Sequence, residues 1–236
     1  MFNLTTAQKN EICTFAYEAD KESRGDLVNN IIVNENDYTS NFTSVLRRKI
    51  NKKSIAGLTA TAQLLTANNE RALGCDAIII ICDGAKTKIV VFEAKLLRQN
   101  QAWDRTQNNN NPNSHFSHQL QRQANYVDKL AIFEMFYCNY AFTCQPNNMQ
   151  DYVSACVWHS EAATQNNVRP TSPGPWDDSD LSKLLAQHPA KSISDILGDV
   201  CDCKKGIPIH LSSFEAISSE FSYLSGPVVF IQRIVS

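Results

Sequence analysis

Two short apolar runs joined by a turn constrain the fold more than any other stretch of the sequence. Residues 74–95 read GCDAIIIICDGAKTKIVVFEAK; residues 77–82 and 88–92 are rich in β-branched side chains, and Asp83-Gly84 is typical of a tight turn. Continuous apolar runs of this length are typical of strands that are buried on both faces of a sheet. The sequence therefore predicts a buried β-hairpin as the core of the fold.

Charged residues bracket the two runs of this predicted hairpin. Asp76 precedes the first run, and Glu93 and Lys95 follow the second. A chain reversal near Gly84 places Asp76 within a residue or two of the position opposite Glu93. Side chains alternate along a strand, so Glu93 and Lys95 share one face. Two carboxylates and one ammonium group are therefore expected at the same end of the hairpin.

Such a group of charges has a chemical use. Neighbouring carboxylates repel each other, so one of them stays protonated unless a cation compensates. A small set of hard oxygen ligands suits Mg²⁺ or Mn²⁺, and a lysine beside them can orient a water and offset charge on a phosphate. The alternative is an ordinary hairpin whose charged residues only solvate its ends.

The order of these residues resembles a known family. Asp76, followed after an apolar hairpin by Glu93-Ala94-Lys95, is similar to the motif of the PD-(D/E)XK nuclease superfamily, which includes many restriction endonucleases; Cys75 stands where the motif has proline. The resemblance implies an α/β fold of the restriction-endonuclease-like type, with a mixed β-sheet core flanked by helices. It also implies an endodeoxyribonuclease that depends on Mg²⁺ (or Mn²⁺), in which Asp76 and Glu93 hold the metal and Lys95 activates the attacking water.

The same resemblance assigns further residues to the site. Glu35, on the helix before the sheet, is most similar to a glutamate that often completes the metal site; its alternative role is to stabilise its own helix from the first turn. Gln119 and Gln123 share a polar helix face, and either is a helper residue close to the site. Arg122, a phosphate contact, stands where the strict Gln-x-x-x-Tyr spacing requires glutamine. Glu70, which precedes the hairpin, either approaches the site or has a structural role.

The rest of the chain is predicted to form one domain over residues 1–236, with a helical elaboration at about 166–225. The predicted helices are 6–22, capped by Thr5 or Thr6; 35–50, capped by Asn34 or Asn36; a long helix over 114–142; 180–188; 192–197; and one capped by Ser212 or Ser213. The predicted strands outside the hairpin are 56–65, 151–158 and 228–234. Turns or loops are predicted at 23–30, at 159–179 and, as a flexible loop, at 108–113.

Composition decides which partners and which compartment to expect. The 22 basic and 24 acidic residues give a net charge of −2, so nucleic acid, with DNA as the expected form, has to be bound through a local basic cleft. The chain begins MFNLTTAQKN without a signal-peptide pattern, and it has no run of membrane-spanning length. Five cysteines in apolar contexts are therefore expected to be buried thiols, in a cytoplasmic protein without a membrane partner: Cys75, Cys82, Cys138, Cys144 and Cys156. A homodimer is an expectation of the resemblance.

Two other functions stay open at this point. The same fold without cleavage would be a nucleic-acid-binding or protein-binding module, and the same enzyme under control would be an effector that is silent until triggered. The set of Asp76, Glu93 and Lys95 argues against the first, because a binding module has no need to bury those charges together.

Overall fold

The structure, a computed structural model, describes residues 2–65, 73–98, 101–108, 111–139, 149, 152–211, 214–220 and 226–234. The helices in these ranges are α1 (Thr6–Val28), α2 (Glu35–Lys53), α3 (His115–Gln123), α4 (His159–Val168), α5 (Asp178–Gln187), α6 (Ile193–Cys201) and α7 (Phe214–Glu220), with a 3₁₀ turn at Ala124–Tyr126. The strands are β1 (Leu58–Leu65), β2 (Ala77–Cys82), β3 (Thr87–Leu97), β4 (Thr106–Asn108), β5 (Asn111–Ser114), β6 (Ala131–Cys138), β7 (Ala155–Trp158) and β8 (Gly226–Arg233).

A six-stranded mixed sheet forms the core, in the order β1-β8-β2-β3-β6-β7. The pairs β1/β8, β2/β3 and β6/β7 are antiparallel, and the pairs β8/β2 and β3/β6 are parallel. The predicted α/β class, with a mixed sheet flanked by helices, is confirmed. The last strand lies between β1 and β2, so the C-terminal part of the chain belongs to this sheet; the helical elaboration at 166–225 stays a prediction.

The β2–β3 hairpin lies in the middle of the sheet, as its apolar sequence predicts. Every residue of both strands is buried, and the register pairs Ala77 with Phe92. Asp83 closes the turn, because its Oδ1 accepts hydrogen bonds from the amides of Ala85 and Lys86 at 2.9 and 2.7 Å. The predicted hairpin is therefore confirmed, and its second strand continues five residues past the predicted end at 92, to 97.

Alternate side chains of the sheet build an apolar layer on each face. Helices α1, α2 and α6 cover one face, where Ile12, Phe42 and Leu197 join a cluster with inward-facing residues of β2, β3 and β6. On the other face, helices α3 and α5 contribute Leu120 and Leu181 to a cluster with the alternate residues of β6 and β7, and a further cluster contains the alternate residues of β2 and β3. Both faces of the central strands are thus shielded from water, which is the environment that their sequences require.

The predicted helix over residues 114–142 is wrong in its second half. Helix α3 ends at Gln123, a 3₁₀ turn follows, and the chain then enters β6. Every residue of β6 is buried, because β6 lies between β3 and β7 and has helices on its faces. A run that is apolar all round suits such a strand, and the helical spacing of residues 115–126 does not extend into it.

Other predicted boundaries are corrected as well. Helix α1 continues to Val28 instead of ending near Glu22, because Ser23, Arg24 and Leu27 extend its buried stripe. The predicted loop at 159–179 contains α4, whose inward residues pack on the sheet. The predicted flexible loop at 108–113 includes strand residues, because β4 and β5 pair as an antiparallel ribbon.

Several smaller predictions are also decided. Thr5 caps α1 and Asn34 caps α2, as predicted. The predicted buried thiols are confirmed as free, buried cysteines at Cys75, Cys82, Cys138 and Cys156. The predictions made for four further residues lie outside the described residues, namely those for Glu70, Cys144, Ser212 and Ser213. No helix in the described ranges has the length and apolar character that a membrane span requires.

Replacing Phe92 by alanine is expected to lower the free energy of unfolding by about 3–5 kcal/mol. Its buried ring stacks on Phe133 with centroids 5.1 Å apart and meets Phe42 edge-on at 6.0 Å, so its removal leaves a cavity between the sheet and α2. The control is Ile55→Ala, at a side chain that is 96% exposed, which should change stability by less than about 0.5 kcal/mol. Urea denaturation measures both, and equal effects would contradict the described core.

Candidate functional site

A cavity of about 370 Å³, here called the site cavity, opens where β2 begins. Five of the side chains that the sequence assigns to the site line it, namely Glu35, Asp76, Glu93, Lys95 and Gln119, whereas Arg122 does not. They come from the first turn of α2, the residue before β2, the second half of β3, and α3. Residues that are far apart in the sequence therefore meet at one place, and Gln123, the other helper considered, lies outside this lining.

Carboxylates replace missing strand partners along β3. Pairing with β2 stops at Phe92, although β3 runs on to Leu97, so its next amides on that side lack a ladder acceptor. The amide of Ala94 donates to Asp76 Oδ2 at 2.8 Å, and the amide of Leu96 donates to Glu35 Oε1 at 3.0 Å. Because a buried amide needs an acceptor, the backbone itself draws both carboxylates to this edge.

Glu93 and Lys95 point to the same face of β3, as their alternation predicts. Lys95 Nζ and Gln119 Nε2 both donate to Glu93 Oε1. Glu93 is 1% exposed, and its second oxygen, Oε2, is buried without a hydrogen-bond partner among the described residues. One oxygen of this carboxylate is thus saturated, and the other is left for a proton or a cation.

The electrostatics of the cavity favour such a cation. Burial, and then the negative charge of Asp76, raise the pKa of Glu93 well above its usual range. Burial also raises the pKa of Asp76 to about 6, against the opposing effects of Lys95 and of the Ala94 amide. Burial by itself lowers the pKa of Lys95, but the charges of Glu93 and Asp76 outweigh it, so that pKa is raised and the lysine is an ammonium group. A divalent cation would offset the electrostatic cost of ionising these two acids together.

A second buried polar group lies behind the cavity, and sequence analysis missed it. Glu134 on β6 is in register with Glu93 and fully buried. His159 Nδ1 lies 3.3 Å from Glu134 Oε1 and 2.9 Å from Gln123 Oε1, while Gln123 Nε2 donates to the carbonyl of Gly74 at 2.7 Å. Because that carbonyl can only accept, Gln123 presents its oxygen to the imidazole, and Nδ1 carries the hydrogen. The available signal was a single acid inside the apolar run AIFEMFYC.

Basic residues line another part of the site cavity. Arg105 and His115, here called the basic rim, are held side by side because the amide of His115 donates to the carbonyl of Arg105 at 2.7 Å. Burial, followed by the positive charges of Lys95 and Arg105, lowers the pKa of His115, so this imidazole is neutral near neutral pH. The neighbouring His118 is exposed and does not line the cavity.

Asp104 fixes the basic rim. Its carboxylate is almost fully buried and accepts four hydrogen bonds, which leaves it no role as a ligand. The donors are the amides of Arg105, Phe116 and Trp176, at 2.8, 3.0 and 2.8 Å, and the hydroxyl of Ser114 at 2.6 Å. These four hydrogen bonds connect the β4–β5 ribbon, the start of α3 and the loop before α5. They therefore fix the position of the basic rim.

The donor chemistry of the site cavity suits a hard divalent cation. In the described part of the chain, no three His, Cys, Asp or Glu side chains form a group that could hold a metal ion by themselves. Mg²⁺ does not require such a group, because it is usually bound through one or two carboxylates and keeps several waters. Asp76 and Glu93 meet this requirement, and Glu35 supplies a third carboxylate in the same lining.

Comparisons of the chain with protein-family models, with curated proteins and with solved structures give no match. The resemblance to the PD-(D/E)XK superfamily therefore stays a prediction. What the site does has to follow from the chemistry of its own residues.

The carboxyl group of Asp76 is expected to titrate near pH 6 in the metal-free protein. Its pKa is higher in the folded chain than the usual 3.8, so ionisation favours unfolding, and the free energy of unfolding falls as the pH rises between these values. Asp76→Asn keeps an oxygen for the Ala94 amide and removes this contribution, so it should stabilise the protein near neutral pH by on the order of 1–2 kcal/mol.

Urea denaturation of both proteins across this pH range tests the expectation. The two stabilities should converge below the lower pKa. A native protein that gains stability relative to Asp76→Asn as the pH rises would contradict it.

Proposed function

We propose that this protein is a Mg²⁺-dependent nuclease of the restriction-endonuclease-like fold, which hydrolyses phosphodiester bonds with DNA as the expected substrate. The observation that carries the proposal is the convergence of Asp76, Glu93 and Lys95 in one cavity, where backbone amides and a buried glutamine orient the acids. Cation ligands and an ammonium group in such proximity are what phosphodiester hydrolysis needs.

Each residue has a role that follows from its surroundings. Asp76 and Glu93 would hold Mg²⁺, with Glu35 as a further ligand and the carbonyl of Ala94 as another that the resemblance implies. When bound, Mg²⁺ supplies Lewis acidity that stabilises charge on the phosphate and on the leaving oxygen. Lys95, held by Glu93, orients the attacking water; its raised pKa makes it a hydrogen-bond donor rather than a base.

The reaction is an in-line hydrolysis. Water adds to phosphorus, the bond from phosphorus to the leaving oxygen breaks, and the proton lost by the water is balanced by one gained by the leaving oxygen from solvent. Gln119 keeps Glu93 from turning away, because it donates to the same oxygen as Lys95 does. The protein thus contributes orientation and charge, which are the principal means of catalysis in such reactions.

One observation favours a second function, a catalytically silent or trigger-dependent module of the same fold. Glu93 Oε1 is already occupied by Lys95 and Gln119, and the described residues contain no ready-made metal cluster. A protein in this state would bind nucleic acid or protein without cutting. An effector awaiting a trigger would still bind Mg²⁺, whereas a pure binding module would not.

Lys95→Ala and Asp76→Asn are each expected to reduce Mg²⁺-dependent cleavage of DNA by on the order of a hundredfold or more, because each removes charge stabilisation at the reacting phosphate. The assay uses plasmid and single-stranded DNA with Mg²⁺ or Mn²⁺, and with EDTA as the blank. Asp199→Asn, at an ion-paired carboxylate on α6, is the control and should cut like the native protein. Cleavage that survives in both site variants would move the chemistry elsewhere.

Mg²⁺ is expected to raise the melting temperature of the native protein and of Asp199→Asn, but not of Asp76→Asn or Glu93→Gln. Ligand binding to the folded state alone stabilises it by about 2.7 kcal/mol when the ligand is a hundredfold above Kd. Because the pKa values of both acids are raised in the free protein, binding near pH 6 should also release protons, which calorimetry in two buffers of different ionisation enthalpy detects. A native protein without either signal would support the pure binding module.

A further inference from the structure

A second cavity of about 260 Å³ adjoins the site cavity, and we call it the side cavity. Glu35 and Trp103 line both cavities, so the two spaces meet along these side chains. The side cavity is further lined by Asn34, Leu96, Arg98, Gln101 and Ala102. Arg98 and residues 101–103, which follow β3, therefore form a wall that continues away from the proposed reaction centre.

The lining of the side cavity suits one nucleotide. Arg98 donates to the carbonyl of Val33 and forms no ion pair with a carboxylate in the described residues, so its charge is available to a phosphate. Leu96 and Ala102 supply apolar surface, and the half-buried ring of Trp103 lies along the shared wall. Contacts with Phe116 and other rings hold Trp103 in place, with centroids 5.5 Å apart for that pair.

Resting on the proposed function, we propose that the substrate of this protein is an unpaired nucleic-acid strand. The scissile phosphate lies in the site cavity against Arg105 and His115, and the adjoining nucleotide lies in the side cavity with its phosphate on Arg98. Two cations on either side of Trp103 in the sequence, Arg98 and Arg105, would thus hold two consecutive phosphates of one strand.

An unpaired strand fits these cavities better than a duplex does for an energetic reason. A nucleotide in a duplex is paired and stacked, so placing it by itself in the side cavity means extruding it from the stack, which costs a few kcal/mol. A single strand has no such cost, and stacking of a base on an aromatic ring contributes about 1–3 kcal/mol. With a net charge of −2, the protein has no long-range basic field that would hold a duplex by itself.

The test measures binding and needs no cleavage. Fluorescence anisotropy with a labelled oligonucleotide is recorded in the Lys95→Ala background with Mg²⁺, for a single strand and for the duplex of the same sequence. The single strand should bind at least about tenfold more tightly than the duplex. Its binding should depend weakly on salt, with a slope of log K against log salt of about −1.4, as two phosphate contacts require.

Matched variants in the same background separate the two cavities. Arg98→Ala should weaken binding of the single strand about tenfold and leave binding of inorganic phosphate, measured by calorimetry, unchanged. Arg105→Ala should weaken both. Arg48→Ala, at an exposed arginine of α2 that is paired with Glu22, is the control and should change neither.

Equal or tighter binding of the duplex, or an Arg98→Ala variant that binds the strand normally, would overturn the inference. Failure of the proposed function looks different, because the intact protein would then show no cutting while these binding differences persist. Melting temperatures of the variants confirm that each one is folded before its affinity is compared.

Discussion

The mismatch in length between β2 and β3 is the constraint on which the site depends. Where β2 ends its pairing, the amides of Ala94 and Leu96 need acceptors, and the carboxylates of Asp76 and Glu35 supply them. An unsatisfied buried amide costs about 1–3 kcal/mol, so the backbone offsets part of the penalty for burying acids there. The raised pKa of Asp76 shows that the offset is incomplete, which leaves the acids poised to accept a cation.

The apolar layers explain how the fold tolerates so much buried charge. On one face of the sheet, the polar residues of β3 and β6, namely Glu93, Lys95 and Glu134, lie between two apolar clusters that flank them along the same strands. The hydrophobic burial in those clusters offsets the free-energy cost of burying these three polar residues. The clusters also fix the positions of the three polar side chains, because a close-packed interior leaves them few alternatives.

The sequence pattern of the hairpin predicted the part of the site that lies within the hairpin itself. The turn at Asp83 and strand alternation suffice to place Asp76 opposite Glu93 and to put Lys95 beside it. The strand β6 was predicted as helix, because only its place between two other strands explains why it is apolar on both faces. Contacts between distant segments could not be predicted from local pattern: the amide of Trp176 donates to Asp104, and His159 lies against Glu134 only in the folded sheet.

The site cavity is lined by both acidic and basic side chains, which suit a cation and an anion respectively. The carboxylates disfavour a phosphate unless a cation is present, and Arg105 and Lys95 disfavour a cation unless negative charge accompanies it. A metal ion and a phosphate would each improve the site for the other, and linkage makes this coupling reciprocal. A buried hairpin that only capped its strand ends would need no basic rim, and a simple anion site would need no acids. The presence of both kinds of group in one cavity is the reason for proposing phosphodiester hydrolysis instead of either simpler role for these residues.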